Sequence, residues 1–206
     1  MDDFQLNLFA CKDDCAMRLE LDGKLVKNDS KLLNVFDAPK DWEDFILQYP
    51  YAQYLKPKWD FSKQNVPIVG AEQYLEILAS YAGMRATVSV NTRLLKLKQA
   101  SADLNDLCTQ NPTLPRLISL SRIESEFGQR SLALVTIGKA LSMVMRGEGI
   151  LNEPFLAASS RFEMINPQNK VTNWVLASLW EQLEKLNFFS SYYSGQKTLS
   201  QLIAIR

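Results

Sequence analysis

Histidine is absent from this 206-residue chain. With it go the Ser-His-Asp and Cys-His nucleophile systems and every imidazole metal site. Acid–base chemistry would fall to carboxylates, Lys, Tyr or Cys. Glycine is scarce, and the 8 present form neither G-x-G-x-x-G nor G-x-x-x-x-G-K-[ST], so the common phosphate cradles are missing and no cofactor is expected. Gly147 and Gly149 in "RGEGILNE" follow a helical stretch and read as its stop. No D-x-D motif is present, only the adjacent acids Asp2-Asp3 and Asp13-Asp14.

Cysteine is equally sparse. Cys11, Cys15 and Cys108 make an odd number, which argues against a disulfide framework. The spacing in "CKDDC" is neither a C-x-x-C redox pair nor half of a zinc site, and it reads as a loop. Neither sign of charge prevails: 23 Lys plus Arg balance 23 Asp plus Glu, and no basic run exceeds two residues. A neutral chain lacks the electrostatic footprint of a nucleic-acid binder. No stretch approaches the roughly 18 uninterrupted apolar residues of a membrane helix. The opening "MDDFQLNLFACKDD" has acids where a secretory signal needs a basic region. Together these point to a reduced, cytoplasmic protein without a membrane span.

What is present is ordinary globular composition, 47% apolar and 22% charged. Residues 1–36 read as a small β segment. Phe4, Leu6 and Leu8 alternate with polar residues, and Met17, Leu19 and Leu21 repeat that period before Asp22-Gly23, a type I′ hairpin pair. "LLNVF" reads as a further short strand. Residues 37–206 read as an α-helical domain. "DAPKDWEDFILQYP" carries a capping Asp37, an early Pro and first-turn acids, and Pro50 ends it. The aromatic and proline-rich stretch up to Gly70 is an ordered connector, since a flexible linker would not carry Tyr49, Tyr51, Tyr54, Trp59 and Phe61.

"AEQYLEILASYAG" predicts a helix ending at Gly83, and Leu94, Leu97, Ser101, Leu104 and Cys108 stripe the next one. "TLPRLISLSRIESEFGQRSLALVTIGKALSMVMRG" predicts two helices broken at Gly128, the first striped by Leu117, Leu120 and Phe127. The second is striped by Leu132, Val135, Leu141 and Val144. So short a turn makes them antiparallel. Their spacing resembles one tetratricopeptide (TPR) repeat, with Gly128 at the turn and Ala133 at the small packing position. It departs from that pattern at Ser121 and Glu124, and no Pro follows Leu141. A last helix is predicted from Val171, Trp174, Val175, Ala177, Leu179, Leu183 and Leu186. The fold class expected is therefore α-rich α+β: a short amino-terminal β segment followed by TPR-like antiparallel helical hairpins.

Two constellations compete for a chemical role. Glu181 and Glu184 lie three apart on the last helix, the spacing of a hydrolase carboxylate pair or of a solvated face. The connector "NEPFLAASSRFEMINP" is bounded by Glu153-Pro154 and Asn166-Pro167, each extended before its proline. Its Phe155, Leu156, Phe162, Met164 and Ile165 read as a cover over the helical core. Its Arg161, with Arg116 or Arg122, reads as a contact for an anion or a partner protein. The candidate contact set is Arg116, Arg122, Glu153, Phe155, Arg161, Phe162 and Tyr192.

The run Glu153-Pro154-Phe155, Arg161-Phe162, Trp174, Glu181, Glu184 and Phe189-Ser190-Ser191-Tyr192 resembles a helical carboxy-terminal region of some bacterial proteins of surface-polysaccharide biosynthesis. There it follows an FkbM-type methyltransferase or glycosyltransferase domain. The resemblance covers roughly Asn111 to Ile205 and supplies no catalytic residue. It implies an accessory module that contacts a protein partner or an upstream catalytic domain, with residues 1–36 as the trailing edge of that domain. The reading is a non-catalytic interaction module for a glycan- or methyl-transfer enzyme. Its rivals are a carboxylate/Arg enzyme acting on a sugar or other anionic small molecule, and a structural subunit of an oligomer.

Overall fold

The computed structural model describes residues 13–22, 41–59, 69–86 and 90–187. Among these, every regular element is a helix. They are α1 (Asp13–Leu21), α2 (Trp42–Leu47), α3 (Pro50–Leu55), α4 (Ala71–Ala86), α5 (Val90–Gln110), α6 (Leu114–Phe127), α7 (Arg130–Met145) and α8 (Val171–Asn187). Single 3₁₀ turns sit at Lys56–Lys58 and Ser160–Phe162.

The α-rich character matches expectation, but the strand through Met17, Leu19 and Leu21 is replaced by α1. Asp13 and Asp14 occupy the first turn of α1 and Arg18 the last, signs that complement the helix dipole. The intervening Ala16, Arg18 and Glu20 are good helix formers, and no β-branched residue opposes them. Five residues of alternation carried too little information to outweigh this. The stretches Phe4–Leu8 and "LLNVF", and the second arm of the expected hairpin, lie outside the described residues.

Proline and glycine punctuate differently from expectation at two places. Pro50 opens α3 instead of only closing α2; its fixed φ and missing N–H suit a first helical position. Gly83 does not stop α4, which continues to Ala86. By contrast, α6 begins and ends where its signals fall. Thr113 caps it by accepting from the Arg116 N–H at 3.4 Å, Pro115 lies in its first turn, and Gly128 closes it at φ 82°. Only a residue free of a Cβ penalty takes that left-handed angle at no cost.

The helices pack mainly on their chain neighbours: α4 on α5, α5 on α6, α6 on α7 and α7 on α8, with α2 on α4. The α6–α7 pair is the most extensive, and its two-residue connection makes it antiparallel. The buried stripe of α7 is Ala133, Thr136, Ile137 and Ala140, not the expected Leu132 and Val135. The small residues Ala133 and Ala140 let α7 approach α6 closely, while Leu132, Val135 and Met145 are left outside. Tyr51, Leu55, Tyr74, Leu78, Leu104, Leu107, Ile118 and Leu120 are among the side chains fully buried at the centre.

Candidate functional site

The segment from Glu153 to Ser159 crosses this stack as an irregular strap, and all seven residues are buried. Its backbone has no strand partner, so side chains supply the hydrogen bonds that burial makes obligatory. Tyr51 of α3 donates its hydroxyl to the Phe155 carbonyl at 2.7 Å. The Leu156 N–H donates to Ser119 Oγ of α6 at 2.9 Å, and the Ser159 N–H donates to Ser178 Oγ of α8 at 3.1 Å. Arg122 Nη1 donates to the Ala157 carbonyl at 3.2 Å. Phe155 sits among Tyr51, Trp59 and Trp174 with ring centroids 5.6 to 6.4 Å away, and Tyr51 stacks on Trp174 at 5.0 Å.

Arginines fasten the strap at three points. Arg116, fully buried, donates Nη2 and Nε to Glu153 Oε1 at 2.7 and 3.1 Å. Its Nη1 donates to the Val69 and Asn111 carbonyls, and its guanidinium lies 5.5 Å from the Tyr74 ring centroid. Thr113 Oγ1 donates to the other oxygen of Glu153 at 2.6 Å. Arg122 pairs with Glu126 at 2.6 Å and with Glu163 at 3.0 Å. Arg161 pairs with Glu181 at 2.9 Å on the surface.

These three arginines therefore do not converge on one ligand position: each faces its own carboxylate. Arg116, Glu153 and Phe155 are closed off inside the strap, Arg122 is nearly so, and Phe162 packs edge-on against Trp174 at 5.9 Å. Met164 and Ile165, expected to insert between helices, are exposed. Tyr192 lies outside the described residues.

A cluster of charges surrounds Arg122. Tyr81 donates its hydroxyl to Glu126 Oε2 at 2.8 Å, and Arg85 Nη2 donates to Glu126 Oε1 at 3.1 Å. Burial alone would lower the pKa of Arg122, but Tyr81, Glu126 and Glu163 hold it above the ordinary arginine value. Burial raises Glu163 above the ordinary carboxylate value, against the opposing pull of Arg122 and Arg85. Two cations and two carboxylates satisfy one another here, which is a structural clamp.

Glu124 is different. It is buried between α6 and α7, and its Oε2 has no hydrogen-bond partner among the described residues. Desolvation pushes its carboxyl up to about 7, with Thr136 and Lys139 pulling the other way. The folded state thus holds this proton more tightly than the unfolded chain, whose ordinary value is 4.5. Stability contributed by the neutral form is complete below about 4.5 and is lost as pH rises through 7. Glu124→Gln keeps the shape without the charge. We expect it to raise stability at pH 8 by about 2 kcal/mol and to change little at pH 4.5, as read by denaturant titration at both values.

Concavities open among the described residues. A cleft of about 490 Å³ is lined by Tyr54, Lys58, Asn169, Lys170 and the first turn of α8, and a smaller one of about 130 Å³ lies between Leu114, Val144 and Val175. No group of three or more His, Cys, Asp or Glu able to hold a metal is found among the described residues, and no helix there is long and apolar enough to cross a membrane. Burial raises the Cys108 thiol to about 12, which leaves it unreactive at neutral pH.

The remaining feature is the outer face of α7. Leu132, Val135 and Met145 are 51%, 57% and 63% exposed. At 100° per residue they share one side of the helix with Ser131, Gly138, Lys139, Ser142 and Arg146. Ser142 Oγ donates back to the Gly138 carbonyl at 2.8 Å, so its hydroxyl is already engaged. A Cβ built on Gly138 meets nothing within 4 Å. Glycine in mid-helix costs about 1 kcal/mol relative to Ala, and nothing among the described residues requires it there. Gly138→Ala is accordingly expected to stabilise the fold by about 0.5–1 kcal/mol, measurable as a raised denaturant midpoint. Sequence periodicity turned Leu132 and Val135 inward because apolar residues fall at every angle around α7, which leaves no unique stripe to read.

Comparison with known protein families, with curated proteins and with solved structures finds no match.

Proposed function

We propose that this chain is a non-catalytic interaction module, a TPR-like stack of α-hairpins that serves as accessory to a bacterial glycan- or methyl-transfer enzyme. The observation that carries the reading is the outer face of α7, where Leu132, Val135 and Met145 stand in solvent among Ser131, Lys139, Ser142 and Arg146, beside a mid-helix glycine with open space over it. The enzyme assignment rests on the resemblance of residues Asn111 to Ile205 to helical regions that accompany such catalytic domains. The closed state of the Glu153–Ser159 strap supports the same view, since Arg116 and Arg122 beneath it and Arg161 beyond it are engaged with the chain's own carboxylates.

Thermal-shift measurements on the purified chain against nucleotides, sugar nucleotides and S-adenosylmethionine test it. The expected result is no shift with any of them. A saturable shift accompanied by turnover would overturn the non-catalytic reading in favour of an enzyme.

A further inference from the structure

One buried carboxyl takes no part in the strap or in the clamp around Arg122: Glu124, at the α6–α7 interface. It is 2% exposed, and its Oε2 meets no hydrogen-bond partner among the described residues. A carboxyl tolerates such a place while it holds its proton. Once ionised, it needs water or a close cation, and the closed interface excludes the first. The groups that act on it are few. Thr136 and Lys139 of α7 favour its charged form, and Lys139 is itself exposed to solvent. From α5 comes the Cys108 thiol, which burial keeps protonated up to about 12, so it offers no countercharge.

Of the two helices that enclose Glu124, α7 is the one able to yield. It buries Ala133, Thr136, Ile137 and Ala140, whereas α6 buries every residue from Leu114 to Glu124. Small side chains bring the helices close but remove little apolar area from water. Both ends of α7 are jointed. Gly128 before it and Gly147 after it hold φ of 82° and 71°, and a Cβ built on either meets nothing within 4 Å. Positions of this kind, at the ends of an element, absorb the backbone rotation of a hinge. α8 is tied to the strap through Ser178 Oγ and stays with it.

We propose that Glu124 makes α7 a pH-gated element: its ionisation as pH rises swings α7 away from α6 between the two glycine hinges, while α4, α5 and α6 stay packed. Opening lets water reach the carboxylate, which returns from about 7 in the closed form to its ordinary value of 4.5. The closed form thus holds the proton more tightly. Its advantage is complete below about 4.5 and is lost as pH rises through 7. Between pH 6 and pH 8 the opening equilibrium rises about tenfold. The gate needs no partner, so it goes beyond the docking-face reading and does not rest on it.

Native-state hydrogen exchange on the full chain, read by mass spectrometry at pH 6 and pH 8 and corrected for the intrinsic exchange rate, tests this. At pH 8 the α7 amides are expected to exchange at least tenfold faster than the slowest amides of α4 and α5. Their dependence on added denaturant should be shallower than that of global unfolding, the mark of a local opening. Their protection should fall about tenfold from pH 6 to pH 8 in the parent and hold constant in Glu124→Gln, which keeps the shape without the charge. Lys139→Gln removes an exposed cation that favours the ionised form, and should open α7 about twofold further at pH 8. α7 amides that exchange together with those of α4 and α5 would overturn the inference, since the helix then opens only by global unfolding. So would the same pH dependence in Glu124→Gln as in the parent, or a Lys139→Gln chain that opens no further.

Discussion

Glu153→Ala is expected to lower stability by about 3–5 kcal/mol, because it strands the guanidinium of a fully buried Arg116. Arg116 Nη1 keeps its bonds to the Val69 and Asn111 carbonyls, but its charge loses the only carboxylate within ion-pair distance among the described residues. Thr113 loses an acceptor as well. The comparison that decides the cause is the double variant Arg116→Met, Glu153→Leu. Apolar replacements of similar volume remove the charge along with its partner, and such exchanges are often close to neutral. We therefore expect the double variant to be more stable than Glu153→Ala alone, with a coupling energy of about 2 kcal/mol in the cycle of Arg116→Met, Glu153→Leu and their combination. Two single-variant losses that simply add would show that the pair contributes through separate contacts.

The second large effect is expected at Phe155. Truncation to Ala empties the space between Tyr51, Trp59 and Trp174. A cavity of that kind costs about 3–5 kcal/mol, or a fall in Tm on the order of 10 °C for a chain of this size. Tyr51→Phe isolates the polar part of the same contact. It leaves the stacking on Trp174 intact and removes the donor to the Phe155 carbonyl, at an expected cost of about 1–2 kcal/mol. If the strap were a mobile cover, both changes would leave global unfolding unmoved and alter only local exchange. If it is core, both shift the cooperative transition.

Legibility of the fold in the sequence tracked how many independent signals coincided. For α6, the Thr113 cap, Pro115 and Gly128 agree with one another and with the apolar period, and the helix lies where they place it. The segment at Met17–Leu21 offered alternation over five residues, and helix propensity with first-turn acids prevailed. Gly83 failed as a stop because a lone glycine inside an apolar helix costs about 1 kcal/mol, which packing against α5 readily offsets. At α7, hydrophobic residues on all sides concealed which ones face inward.

Site residues were legible in type and not in pairing. Arg116, Arg122, Arg161 and Glu153 stood out as charged residues beside an apolar connector. Only the fold reveals that each arginine has a carboxylate of its own: Glu153 for Arg116, Glu126 and Glu163 for Arg122, Glu181 for Arg161. A linear sequence holds no information on pairings 20 to 40 residues apart unless both partners share a helix. The open face of α7 did leave a trace in the sequence: a glycine in mid-helix, four residues before a serine, with no acid in the whole element.

Val135 lies at the centre of the proposed docking face, and its side chain is already more than half in water. Val135→Asp should therefore fold as the parent does while placing a charge where a partner helix must sit. Quantitative capture from the native cell, comparing the parent with Val135→Asp at matched unfolding midpoints, tests the account most directly. It predicts a polypeptide partner bound by the parent and lost at least tenfold by the variant; equal recovery by both would contradict it.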